Sequence, residues 1–303
     1  MRDIRNVLEL AEKHGAAVGH FNVADLVLLK AVFSSAQELK VPVLVGASEG
    51  EREFMGVRGI AALVRSLRDE FDFPVFLNAD HTHTLEKAME AAKAGFDTIV
   101  FDVSALPIEQ NARQTKEAVE ALKAINPAIL VEGEIGNIGT GSEIHELAPD
   151  LSMYLTKPAE AKQFVEFTGI DVLAPAVGNM HGMSRQMVEG QSKKHLDIAR
   201  IAQIKSAAGV PLTLHGGSGT NDEDLRQAIA AGISIIHINT ELRVAWRDGL
   251  EASLAAQPNQ VVPYKILPPA VESVRRVVLA RLSLFNLAKQ RRSKESKEAA
   301  SAV

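Results

Sequence analysis

An α/β fold is predicted by three observations. Short apolar, β-branched runs recur along the 303 residues and alternate with amphipathic stretches of helical period. Eight such runs can be counted. Three histidines, His81, His181 and His215, each close one of them just before a helical stretch. Residues so far apart in sequence converge only if several strand ends meet on one rim. Eight β/α alternations in a chain of this length therefore predict a closed parallel barrel, the (β/α)8 TIM barrel, as a single domain. A doubly wound open sheet is the alternative. It offers one crevice at a switch point, not ligands spread over several strand ends.

In order, the strands are read at 17–21 (AVGHF), 41–47 (VPVLVGA), 75–78 (VFLN) and 98–102 (TIVFD). The second half continues with 129–134 (ILVEGE), 172–177 (VLAPAV), 212–214 (LTL) and 235–238 (IIHI). Amphipathic stretches fall between them at 26–39, 59–69, 85–94, 109–124, 158–168, 196–208 and 222–231. Gly95, Gly169, Gly209 (followed by Pro211) and Gly232 punctuate their ends, as helix stops do. Residues 1–288 are assigned to the barrel. The charged tail 289–303 is low in apolar content and expected to be disordered. One long polar loop, 137–154, carries Gly139, Gly141, Ser142 and Pro149, and is expected to move as an active-site lid.

Composition narrows the function. With 46% hydrophobic residues the chain can bury a large core, and its charge of −5 (33 basic, 38 acidic) disfavours nucleic acid as a partner. There is no cysteine, so any zinc must rest on histidine and carboxylate. The amphipathic start, MRDIRNVLELAEKHG, lacks a signal-peptide core, and no segment approaches the roughly 20 apolar residues of a membrane span. A soluble, cytoplasmic protein that does not engage membranes is expected.

His81, His181 and His215 on one rim make an open zinc site with a position left for substrate. Asp80 adjoins His81, where a carboxylate can move a proton on a metal-polarised substrate. In a regular strand the two side chains face opposite ways, so the pair makes sense only where the strand breaks. The competing reading for Asp80 is a cap on the helix at Leu85, a role better suited to Thr84. His83 completes an HTH turn and is read as a loop or supporting residue. LHGGSGT joins a strand to a helix, so Gly216, Gly217 and Ser218 are read as a phosphate loop. His237 and Asn239 share strand parity and point inward, and Asn239 and Thr240 reach the rim, where they can contact substrate. For His20 and His237 an interior structural role weighs equally. Asp102, Glu132 and Glu134 either hold a second metal, orient the histidines, or form rim salt bridges with residues such as Lys157. His14, His145 and His195 are read as surface residues.

Together these motifs resemble the class II, zinc-dependent ketose-bisphosphate aldolases, which include fructose- and tagatose-bisphosphate aldolases. The resemblance runs from about Val7 to Phe285. It is carried by GHFNVAD, VLVGASEG, NADHTHTLEKAMEAAKAGF, LVEGEIG, LTKPAEAKQFVEFTGIDVLAPAVGNMHG, VPLTLHGGSG and HINTELR. It implies catalytic zinc on His81, His181 and His215, with Asp80 as the proton-transfer residue. It also implies that Gly182, Gly216 and Ser218 hold the dihydroxyacetone-phosphate end together with a monovalent cation, Na+ or K+. Asn22, Ser48, Asn239 and Thr240 become substrate contacts, and Glu134 a ligand of a second divalent metal, with Asp102 beside it. The partner implied is a small phosphorylated ketose, and the assembly a homo-oligomer, dimer or tetramer.

The chain departs from the family at His20, which replaces a small or apolar residue, and at Ile235 and His237, which replace K-x-N. The lid reads GNIGTGSEIHE, and Glu143 is its nearest acid. The resulting expectation is reversible, metal-dependent cleavage of fructose 1,6-bisphosphate. Tagatose bisphosphate or another phosphorylated ketose is the alternative substrate. A metal-dependent hydrolase barrel and a non-catalytic sugar-phosphate binder are more remote: the first places His-x-His on strand one, and the second would have lost part of the Asp80 and histidine set.

Overall fold

Side-chain parity along the strands organises this molecule. A computed structural model describes residues 3–139, 141–146 and 154–286. Its strands are β1 (Val18–Asn22), β2 (Val43–Ala47), β3 (Val75–Thr82), β4 (Thr98–Phe101) and β5 (Leu130–Ile135). They continue with β6 (Ile144–His145), β7 (Val172–Pro175), β8 (Met183–Ser184), β9 (Leu212–Leu214) and β10 (Ile233–Ile238). A closed parallel barrel forms in the order β1-β10-β9-β7-β5-β4-β3-β2, and each of these strands overlaps one read from the sequence. The pair β6–β8 lies outside the barrel and was not anticipated, because two-residue strands have no periodicity to detect.

Successive side chains on a strand face opposite ways. On β2 and β3, Val43, Val45, Ala47, Val75, Leu77 and Ala79 face outward and share a core with helix residues such as Leu28 and Val32. The other parity faces the barrel axis. Val18, Leu44, Phe76, Leu130, Val172 and Ile235 form an apolar floor, sealed from below by Ile4, Val7 and Leu8 of the helix Ile4–Lys13. One step higher the inward residues are polar: His20, Asn78, Glu132 and His237 are all buried. Burying such groups costs free energy unless they are bonded. Several are: His20 Nε2 lies 2.9 Å from Asn78 Oδ1, although His20 Nδ1 has no partner, and Asn78 Nδ2 donates to Thr98 Oγ1 at 2.6 Å. Thr213 Oγ1 donates to Glu132 Oε2 at 2.9 Å. The barrel thus changes from apolar to polar towards the C-terminal ends of its strands, where barrel enzymes do chemistry.

Left-handed glycines close the helices Leu85–Ala94, Pro158–Thr168, Ile198–Ala208 and Asp222–Ala231 at the four positions read as stops. Among the described residues, no helix is long and apolar enough to cross a membrane. The tail 289–303, with its expected disorder, and the loop centre 147–153 lie outside the described residues.

Candidate active site and metal centre

A break in β3 brings Asp80 and His81 to the same place. His81 has a left-handed backbone (φ 37°), and the register with β4 slips between Ala79↔Ile99 and Thr82↔Phe101. Such a bulge re-aims a side chain, at some cost for a non-glycine residue. Consequently His81 Nε2 lies 3.8 Å from Asp80 Oδ1 instead of on the opposite face. The helix Leu85–Ala94 is capped by Thr84, whose Oγ1 accepts from Lys87 N, so Asp80 is not needed there.

The three histidines converge. Ring centroids of His81 lie 4.6 Å from His181 and 4.7 Å from His215, while His181 and His215 are 6.1 Å apart. His81, Glu134, His181 and His215 each offer one ligand atom, all within 4.8 Å of one another. Carboxylates behind the rings set which nitrogen faces inward. His81 Nδ1 lies 2.7 Å from Asp102 Oδ2, leaving Nε2 for the centre. His215 Nε2 lies 2.6 Å from Glu132 Oε1, leaving Nδ1. Asp102 Oδ1 is itself taken by Ser104 N and Oγ, so Asp102 sits behind His81 and outside the converging cluster. Glu134 Oε2 is 2.9 Å from His215 Nδ1, yet both buried atoms lack a well-formed hydrogen bond. Buried polar atoms are nearly always satisfied. Three imidazoles, one carboxylate and two such orphaned atoms fit a zinc-sized divalent cation.

The electrostatics agree with that fit. Burial disfavours charge on His81, but the Asp80 charge and the Asp102 hydrogen bond outweigh it and raise its pKa to about 9. His215 is likewise raised well above the usual imidazole range, its burial outweighed by Glu132 and Glu134. The cluster of carboxylates therefore draws positive charge to this point. Burial and the charges of His81 and His215 hold His181 well below that range. For Asp80, burial favours the acid, but His81, His237 and His20 keep the carboxyl well below the normal range.

Behind Asp80 stands a stack of imidazoles. The His20 and His237 rings are parallel within 7°, with centroids 3.5 Å apart, and His237 stacks in turn on His215 at 4.2 Å. His237 Nδ1 lies 3.3 Å from Asp80 Oδ1, and Asn22 Nδ2 donates to Asp80 Oδ2 at 2.9 Å. Gly46 makes the room: a Cβ there would come within 3.1 Å of His20 Nδ1 and closer still to Cε1 and Nε2.

Around the opening, Asn22, Gly182, Gly216, Ser218, Asn239 and Thr240 line one continuous cavity with Asp80, His81 and His181. Ser48, Asp102, Glu143 and His83 line an adjoining cavity that shares Asp80, His81 and His181 with it. Gly217 does not line it; its N–H donates to His237 O at 3.0 Å. Glu134 and His215 belong to the ligand cluster but do not line the first cavity. Lys157 pairs with Glu160 at 2.8 Å and takes no part.

The expected lid is tied down where it is described. His181 N donates to Ile138 O at 2.8 Å, Met183 N to Glu143 O at 3.0 Å, and Arg243 Nη1 to Ser142 O at 3.1 Å. The cause is the β6–β8 pairing, which fastens the loop to the segment after His181. It also brings His145, read as a surface residue, against Gly182.

Three residues of the frame were missed. Glu51 is buried and accepts from Asn22, Ser48 N and Arg243. Arg52, also buried, donates to Asp80 O and Thr82 Oγ1. Lys194 is buried among backbone carbonyls. Charged residues in EGERE and SKKH look like solvated surface, and only the GASEG turn preceding the first hinted otherwise.

Comparison with known proteins agrees with this geometry. Residues 2–290 match the family model described as fructose-bisphosphate aldolase class-II. A probable fructose-bisphosphate aldolase of Bacillus subtilis is 33% identical over 287 residues, 94% of this chain and 97% of that protein. The fructose-bisphosphate aldolase of Geobacillus stearothermophilus is 34% identical over 285 residues, 93% and 96% of the two chains. Among solved structures, the YdjI aldolase from Escherichia coli K12 superposes with a TM-score of 0.77 at 29% identity, covering 94% of this chain and 97% of its own. With a closed eight-stranded barrel, a convergent histidine cluster and this family match over almost its whole length, the chain belongs to the class II fructose-bisphosphate aldolases and is an aldolase lyase.

Proposed function

We propose that this enzyme cleaves a ketose 1,6-bisphosphate, foremost fructose 1,6-bisphosphate, reversibly into dihydroxyacetone phosphate and glyceraldehyde 3-phosphate, and that it depends on a divalent metal, zinc. The observation that carries the reading is the convergence of His81, Glu134, His181 and His215, with Asp80, His81 and His181 lining one cavity. Zinc bound to the three histidines supplies Lewis-acid polarisation of the ketone and adjacent hydroxyl oxygens. Asp80, ionised and held by Asn22 and His237, takes the C4 hydroxyl proton. The C3–C4 bond then breaks, its electron pair passing to the three-carbon fragment, and C4 leaves as the aldehyde. Protonation of that fragment at C3 needs an acid, and Glu143 is the carboxyl of the 137–154 loop that lines the adjoining cavity. Asn239, Thr240 and the Gly216–Ser218 turn hold the phosphate end.

A second substrate within the same chemistry is favoured by one observation. His237, which lines the cavity beside Asp80, and His20, stacked behind it, both depart from the family pattern. Tagatose 1,6-bisphosphate or another phosphorylated ketose is the alternative on that ground. The test is release of dihydroxyacetone phosphate from a panel of ketose phosphates, using protein as purified, chelator-stripped, and reloaded with zinc. Activity that is lost on stripping and regained with zinc is expected. Full activity in the stripped protein refutes the metal reading, and failure on every ketose phosphate refutes the substrate class.

A further inference from the structure

Lys194 is 4% exposed, and its ammonium points inward to a ring of backbone carbonyls. Nζ donates to Met180 O at 2.7 Å, Gly182 O at 2.7 Å and Gly216 O at 3.0 Å. Met180 and Gly182 flank His181, and Gly216 follows His215. One side chain thus ties together the two loops that carry two of the three histidines. Its backbone is latched to the same region: Lys194 N donates to Gly219 O at 2.9 Å, and Asn221 N to Lys194 O at 3.0 Å.

The family resemblance implies a monovalent cation beside Gly182, Gly216 and Ser218, and the residues here do not fit one. Carbonyl oxygens are the natural ligands of Na+ and K+, but these already surround a covalently attached unit charge of the same sign. We infer that the Lys194 ammonium is a tethered replacement for the monovalent cation, so that this enzyme works without Na+ or K+. Three acceptors call for three N–H donors, which an ammonium has and a neutral amine lacks. Burial lowers the lysine pKa to about 7, partly opposed by Glu241. A phosphate group docking on the Gly216–Ser218 turn adds negative charge nearby and favours the ammonium further. Lys194 touches no reacting atom. It is a positioning residue that orients the two histidine loops and places a fixed positive charge beside the phosphate-binding turn.

This inference rests on the aldolase reading for its kinetic test, and a second readout separates the two. Turnover is measured in potassium chloride and in choline chloride at equal ionic strength. Wild type is expected to be equally active in both. Lys194→Ala, which vacates the carbonyl ring, is expected to lose at least about tenfold in kcat/KM in choline chloride, chiefly through KM for the phosphorylated substrate. It should recover in potassium or ammonium chloride. Lys194→Met, which fills the space without charge, should lose activity and not recover. Independently of activity, potassium should raise the melting temperature of Lys194→Ala over choline, and leave wild type unchanged. Three results overturn the inference: potassium-specific stimulation of wild type, undiminished activity of Lys194→Ala in choline, or loss without recovery in potassium. Should Lys194→Ala fail to fold in choline, Lys194→Ser is carried in parallel. Folding rescued by potassium in either variant supports the inference, and its absence in both overturns it. If wild type cleaves no ketose phosphate, the substrate reading fails, while the melting comparison still decides the role of Lys194.

Discussion

Gly46→Ala tests whether the imidazole stack behind Asp80 is packed as described. The added methyl would sit within 3.1 Å of His20 Nδ1 and nearer still to Cε1 and Nε2, against 3.4–4 Å for ordinary contact. To accommodate it the ring must move by roughly 1 Å or more. Retreat is blocked by His237, stacked 3.5 Å away, and movement in the plane breaks the 2.9 Å bond to Asn78. Overpacking of a filled core costs about 1–3 kcal/mol. The broken bond to buried Asn78 adds about 1–2 kcal/mol. The sum, about 2–5 kcal/mol, corresponds to a melting temperature lower by on the order of 10 °C in a domain of this size. His20→Ala removes the obstacle at a cost of about 2–4 kcal/mol for the cavity. In that background the methyl added by Gly46→Ala enters vacated space and costs nearly nothing, so the cycle should show coupling of about 2–5 kcal/mol. The assay is thermal unfolding of the four proteins at fixed zinc, with turnover measured alongside. An equal effect of Gly46→Ala in both backgrounds, or a shift under about 1 °C in wild type, refutes the packing argument.

Three further outcomes follow from the site. Asp80→Asn keeps the hydrogen bond from Asn22 in reach but is a poor base, so it should fold and bind zinc as wild type does while turnover falls by about 10²–10⁴; near-normal turnover would remove Asp80 from proton transfer. Glu132→Gln removes the charge behind His215 Nε2, and chelator-competition titration should show zinc affinity lowered about 10–100-fold; an unchanged affinity would return Glu132 to a purely structural role. Glu143→Ala should slow solvent exchange of the dihydroxyacetone-phosphate C–H proton at unchanged zinc affinity, and an unaltered exchange rate would shift attention to Glu146, which pairs with Arg185 at 2.8 Å.

By itself the sequence determined the barrel, because that signal is local and repeated: each strand is a short apolar run, and several helices end on a glycine. It also placed His81 and His215 at strand ends, which a closed sheet of parallel strands brings to one rim, whereas His181 lies six residues past the end of β7, in the loop before β8. Tertiary structure alone decided the rest. The turn of Asp80 and His81 to one side comes from a left-handed residue and a register slip, which leave no trace in periodicity. The open choice for Asp102, Glu132 and Glu134 depended on angstrom-scale distances. Two of them stand behind histidine nitrogens and the third joins the ligand cluster. Neighbours such as Gly46 and His20 lie on different strands, and their fit is a matter of packing. Lys194 in SKKH reads as solvated charge, because sequence records that a residue is a lysine but not that three carbonyls meet where its ammonium ends. Local patterns encode elements, whereas burial and pairing arise only when distant elements close on one another.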